Sequence, residues 1–306
     1  MLAHSCRRAL RDDWRGQPRM LRFVIVDSHC HAWRYWPYEP PVPDPETRPA
    51  VEQLLFEMDQ CGVDEAVLVA ARIDHNPDNN DYVAECVRRY PERLYQFADV
   101  DCMWTPTYHT PGAANRLADA VRTYGLRGFT HYVADDDDGS WFLGPEGQSF
   151  LSTAASLNQI VSIHLPVRLQ PVLRQLAEQF PETPFLCHHM GYPVTAQGPD
   201  GPALRDILES AKRPNIHIKL SGFHYAAPVG WEYPHAPSGY IVRQLFEHFG
   251  PERLHWGSDY PVVRWALTYR QALEVIRAHC AEFIPDQAMD RVLGSSLHDL
   301  LQKHGA

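Results

Sequence analysis

Val24–Trp33 reads VIVDSHCHAW, and its two histidines are the first residue types in the chain suited to holding a metal ion. The apolar run Phe23-Val24-Ile25-Val26 passes without a turn signal into Asp27-Ser28-His29-Cys30-His31. Short runs rich in Val and Ile read as buried strands of a parallel sheet. Side chains alternate along a strand, which predicts Asp27, His29 and His31 on one face and Ser28 and Cys30 on the other. Two imidazoles one pleat repeat apart at a strand end can converge on one ion, and imidazole suits zinc, iron, copper or nickel. An isolated His-x-His is more often two polar residues where a strand surfaces. Partners must therefore come from elsewhere in the chain.

The elements that would bring such partners in recur regularly. After the first strand, a Pro-rich loop at Arg34–Pro49 carries Tyr35, Trp36 and Tyr38, a composition suited to a lid or pocket wall. Helical spacing over Ala50–Cys61 ends at Gly62. Strands are then predicted at Ala66–Ala71, Leu94–Val100, Leu126–Val133, Ile160–Val167, Phe185–Met190, Ile216–Phe223 and Leu254–Asp259. Helices are predicted between them, and a last one at Asp286–Leu301. Eight strand–helix units in about 260 residues match the usual size of a closed (β/α)8 TIM barrel. A doubly wound open sheet would carry a glycine fingerprint after its first strand, where this chain has His-Cys-His. No linker divides the chain, so residues 21–306 are expected to form a single domain.

Bulk composition excludes several function classes. The formal net charge is −10 in 306 residues, which argues against a nucleic-acid footprint. Nothing approaches a membrane span. Seven cysteines without a Cys-x-x-Cys pair point to reduced thiols and a cytoplasmic protein. Residues 1–20 carry charges throughout and are expected to be a poorly ordered N-terminal extension or the result of an upstream start codon. The implied partner is a small-molecule substrate, with homo-oligomerisation left open.

In a barrel of this type, chemistry sits at the C-terminal ends of the strands, because the loops there surround one mouth. Those ends carry His29 and His31; Arg72; His131; His164; His188 and His189; Ser221 and His224; and Asp259. Seventeen histidines placed at random would rarely reach five of eight strand ends. Any one of them could be a satisfied rim residue, but as a set they point to a site.

The segments VDSHCHAW, SIHLPV, HHMGYP, IKLSG and ERLHWGSDYPV resemble the metal-dependent hydrolases of the amidohydrolase superfamily, over Val24 to about Leu301. Within it they are most similar to the amidohydrolase-related branch of sugar-lactone and pyrone-dicarboxylate lactonases. The resemblance implies His29, His31, His164 and Asp259 as metal ligands, with His189 a ligand or catalytic neighbour. It implies one divalent ion, zinc by donor type, although some lactonases of this branch use none. Strand six departs from the pattern with His188-His189, and alternation predicts that only His189 enters the barrel. Strand four ends in Thr130-His131, where many lactonases carry an arginine, and it lacks the bridging lysine of two-metal members.

The chemistry implied is hydrolysis of a lactone or related cyclic ester or amide. Asp259 would act as general base and then acid, with His189 polarising the carbonyl. The same ligands also resemble zinc-dependent non-oxidative decarboxylases of aromatic or muconate-type acids. Arg72 could clamp a carboxylate, and Lys219, at an inward position of its strand, needs a partner there. His131, His224 and Trp33 are further substrate-binding candidates, with Trp141 and Tyr260 as possible mouth aromatics. Asn80 reads as a helix cap, Asp135–Asp138 as a solvated loop and Cys30 as core.

Overall fold

The computed structural model describes residues 23–193, 198 and 201–305, so the expected extension at residues 1–20 lies outside the described residues. Eight parallel strands run in chain order: β1 (Val26–Cys30), β2 (Glu65–Val69), β3 (Leu94–Asp99), β4 (Gly128–Tyr132), β5 (Ile160–His164), β6 (Phe185–Cys187), β7 (Ile216–Leu220) and β8 (Leu254–Trp256). Each is followed by helix, and the architecture is a (β/α)8 TIM barrel. The seam between β8 and β1 is closed by the Cys30–Tyr260 bridge and by Asp259 N–H donating to the His29 carbonyl at 2.7 Å. Gly257 makes that closure possible, because a Cβ there would lie 2.8 Å from Ser28 Oγ and 2.9 Å from His29 Cβ.

Alternation sorts the apolar residues into two layers. Val26, Val67, Val69, Phe97, Ile160 and Leu186 fill the barrel. Ala66, Leu68, Phe129, Ile218 and Trp256 pack outward against the helices. Each buried Val, Leu or Ile side chain contributes about 1.5–3 kcal/mol relative to exposure. The helical layer therefore holds the strand ends, and whatever they carry, in fixed positions.

Four local expectations change. The register of β1 on β2 shifts between Asp27 and Cys30. This turns Asp27 away from His29 and His31 to accept hydrogen bonds from Ser258 N–H (2.9 Å) and the Tyr269 hydroxyl (3.0 Å) on the helix side. Burial raises its carboxyl to about 6, against the pull of those donors. The strand expected at Phe185–Met190 ends at Cys187 and becomes a tight turn at His189–Gly191. The last helix opens into a π turn at Arg291–Ser295, where it packs on β1 and β8. Asn80 does not cap its helix; its amide pairs with both the N–H and the carbonyl of Asp99, fixing the end of β3. The six described cysteines are free and buried, Cys30 among them in the outer layer. No helix among the described residues is long and apolar enough to cross a membrane.

Candidate active site

At the C-terminal mouth, His29 and His31 from the end of β1 meet Asp259, which follows β8. Asp259 Oδ1 lies 3.7 Å from His29 Nε2 and 3.6 Å from His31 Nε2, and all three residues are buried. These ligand atoms lie within 4.8 Å of one another. His31 Nδ1 pairs with the Val69 carbonyl at 2.7 Å, so its proton sits there and the Nε2 lone pair faces Asp259. Among the described residues, His29 Nε2 is buried with no hydrogen-bond partner. Buried polar atoms are nearly always satisfied, and one left bare beside a second imidazole lone pair and a carboxylate suits a divalent cation. Burial alone would raise the Asp259 carboxyl, yet His189 and His31 beside it hold it below the ordinary value. Its other oxygen accepts from the Tyr225 hydroxyl at 2.8 Å.

Both strand-six histidines enter the site. Alternation fails because β6 has already ended: His189 and Met190 take φ values of +47° and +58°. His29, His188 and His189 form a second group of converging ligand atoms. His189 Nδ1 lies 3.0 Å from Ser221 Oγ, and burial lowers its pKa to about 3, so the ring is neutral at neutral pH. Gly222 leaves room for this arrangement, since a Cβ there would meet the Tyr225 ring at 2.5 Å and His189 Nδ1 at 2.8 Å. Tyr192 and Asp259 also adopt positive φ, at +60° and +59°. Strain gathered at one place on the chain is typical of a functional site.

A cavity of about 510 Å³ opens above these groups, lined by His31, His164, His189 and Asp259. His164 stacks on Tyr132 at 5.1 Å, but it belongs to neither group of converging ligand atoms. Arg72 lines the cavity as an exposed side chain. Lys219 is fully buried beneath the site: its Nζ lies 2.7 Å from Ser162 Oγ and 3.4 Å from His29 Nδ1, and burial lowers its pKa to about 7. Ser162 in turn pairs with His188 Nε2 at 2.7 Å. Lys219 thus lies beneath the histidines and is not among the residues that line the cavity.

Three other sequence candidates also lie off the cavity wall. His131 faces the helices, because parity turns Thr130 and Tyr132 inward; its Nδ1 meets the Val100 carbonyl at 2.9 Å and its Nε2 meets His109 Nε2 at 3.2 Å. Trp33 is fully buried, stacked 4.9 Å from His31 with its indole N–H on the Ala71 carbonyl. His224 tilts against Tyr225 at 4.0 Å and does not line the cavity. Trp141 stacks on His109, and Tyr260 is fully buried in the outer layer. The walls come instead from Tyr38, Trp104, Tyr132, Tyr192 and Tyr225. Tyr38 comes from the Pro-rich loop, as expected of a pocket wall. Tyr225 sits next to the residue singled out from sequence, and no spacing rule separates the two in an irregular loop.

Residues 26–295 match the amidohydrolase family. The chain belongs to the amidohydrolase family. It is a hydrolase of that group, 25% identical over 289 residues to the L-fucono-1,5-lactonase of Burkholderia ambifaria, covering 89% of this chain and 93% of that protein. It is also 25% identical over 241 residues to the 4-sulfomuconolactone hydrolase of Rhizobium radiobacter, covering 77% of this amidohydrolase and 75% of the relative. Among solved structures, its fold matches an amidohydrolase of Burkholderia multivorans with bound zinc, at a TM-score of 0.73, 20% identity, and 91% and 99% coverage of the two chains.

Proposed function

We propose that this amidohydrolase opens a small lactone by hydrolysis at the mouth of its barrel. The carrying observation is the convergence of His29 Nε2, His31 Nε2 and Asp259 Oδ1 on one point beside a cavity of about 510 Å³. Two lactone-hydrolysing relatives at 25% identity support the substrate class. A divalent ion such as zinc, held by those three residues with His189 and His164 facing the same space, would supply a Lewis acid and lower the pKa of a water.

The protein's own groups carry the proton transfers. Asp259, ionised and fixed through its second oxygen by Tyr225, takes a proton from water as the water oxygen bonds to the lactone carbonyl carbon. His189, neutral and anchored by Ser221, carries its proton on Nε2 when the hydroxyl donates to Nδ1, and so can donate to the developing oxyanion. As the ring C–O bond breaks, Asp259 returns the proton to the leaving oxygen, and the product is a hydroxy acid. The burial of Asp259 strengthens each of these interactions.

Acid release from a panel of lactones, followed at pH 7 with metal-replete protein, tests the proposal. Turnover of at least one lactone is expected. Release of CO₂ from aromatic or muconate-type acids, with no lactone opened, would replace it with a decarboxylase.

A further inference from the structure

We infer that Tyr192 is a second hydrogen-bond donor to the oxyanion, set beside His189 by the left-handed turn that carries both. This rests on the lactone-hydrolase proposal and adds a catalytic residue to it.

The backbone of that turn is unusual. His189, Met190, Gly191 and Tyr192 take φ values of +47°, +58°, +76° and +60°, four left-handed residues in succession. A residue with a Cβ pays about 1–2 kcal/mol for this conformation, and it normally occurs singly. Three non-glycine residues in one such turn persist only where the surrounding structure holds them there. Gly191 N–H donates to the His188 carbonyl at 2.8 Å, and Tyr192 N–H to the His189 carbonyl at 3.0 Å. Met190 is fully buried, and Gly191 packs on Ile207, where a Cβ would lie 3.1 Å from that side chain. The turn thereby places two side chains together. A helical turn brings residues i and i+3 to one face. His189 and Tyr192 accordingly stand with ring centroids 5.2 Å apart, and both line the catalytic cavity.

The Tyr192 hydroxyl is uncommitted. Tyr225 spends its own on Asp259 at 2.8 Å, but among the described residues none takes a hydrogen bond from Tyr192. The Tyr192 ring is fixed 4.7 Å from His164 and 6.2 Å from Tyr225, so it needs little rearrangement to act. The electrostatic neighbours of its hydroxyl include Asp259, Tyr38, Tyr132 and Tyr225, all of which line the cavity. Burial, and then the charge of Asp259, hold this phenol well above its ordinary pKa. It keeps its proton and meets a developing anion as a donor. Oxyanions are stabilised by preorganised donors of this kind, and His189 alone supplies one.

Tyr192→Phe tests the assignment, because it keeps the ring and removes only the hydroxyl. On a lactone that the wild type opens, kcat should fall about 10²–10³-fold, the worth of one oxyanion donor, with a smaller change in KM. The urea midpoint should stay at or above that of wild type, since no protein partner is left stranded. Calorimetry with a phostone monoanion, the cyclic phosphonate analogue of the tetrahedral intermediate, needs no turnover. Its Kd should be at least about 10-fold weaker for the variant. A kcat within about twofold of wild type, a loss of kcat matched by a fall in the urea midpoint, or a phostone that does not distinguish the two proteins overturns the inference. Phostone binding that depends on Tyr192, with no lactone opened by wild type, would keep the donor and remove the hydrolase proposal instead.

Discussion

Behind β4, His109, His131 and Asp137 present the same inventory as His29, His31 and Asp259 at the mouth: two imidazoles and a carboxylate. The outer trio is closed upon itself. His131 pairs with the Val100 carbonyl and with His109, and His109 Nδ1 pairs with Asp137 Oδ2 at 3.0 Å. Tyr108 donates to the same carboxylate at 2.7 Å, and the His109 ring lies between Tyr108 at 3.8 Å and Trp141 at 4.0 Å. Every ring nitrogen there has a partner. At the mouth, the Asp259 oxygen stands 3.6–3.7 Å from both histidines, beyond hydrogen-bond length, and His29 Nε2 has no partner among the described residues. Residue type is thus the same in both places. What separates a reactive cluster from a structural clasp is lone pairs left unspent beside open volume.

Several changes should break or sharpen that contrast, and the largest effect is expected at Asp259. An amide cannot take a proton from water, so Asp259→Asn should lower kcat by about 10²–10⁴-fold with a smaller change in KM. Normal turnover in a folded Asp259→Asn protein would end its assignment as general base. Metal content separates the two trios next. Elemental analysis should find about one equivalent of zinc or a similar ion in wild type and His131→Ala, and far less in His31→Ala. Equal metal in all three would place the ion elsewhere.

Tyr225→Phe removes only the hydroxyl that fixes Asp259 and should lower kcat by about 10- to 100-fold, in the range of outer-shell partners. A kcat within twofold of wild type would show that Asp259 needs no such restraint. For the outer trio the expected readout is stability alone. Asp137→Ala, which strands His109 and Tyr108, should cost about 1–3 kcal/mol in urea unfolding and leave kcat unchanged. A lost kcat with unaltered stability would contradict the assignment as a clasp.

The smallest effect concerns pH. Burial, reinforced by His131, lowers His109 from its ordinary 6.5 to about 4. The unfolded chain therefore takes up that proton first, and the stability held above pH 6.5 is lost as pH falls toward 4, by at most about 1.4 kcal/mol per pH unit. Urea titrations at pH 7.5, 6 and 5 should show this slope, and His109→Gln should reduce it. An identical slope in both proteins would place the lost stability in other groups.

The sequence by itself determined the barrel, because eight apolar runs alternating with helical spacing allow few other closures. It also determined that His29, His31, His189 and Asp259 stand at strand ends, since position along a strand is a local property. Side-chain direction was decided by tertiary structure wherever a strand shifts register or stops early. The register shift in β1 sent Asp27 outward, and the end of β6 at Cys187 brought His188 inward beside His189. His131 and Trp33 showed the right type at the right strand end, yet one turned to the helices and the other sank behind His31. The cavity wall was the least legible part. Trp104, Tyr192 and Tyr225 lie outside the strands, where no periodicity fixes direction, and only the folded mouth sets which aromatic faces the substrate.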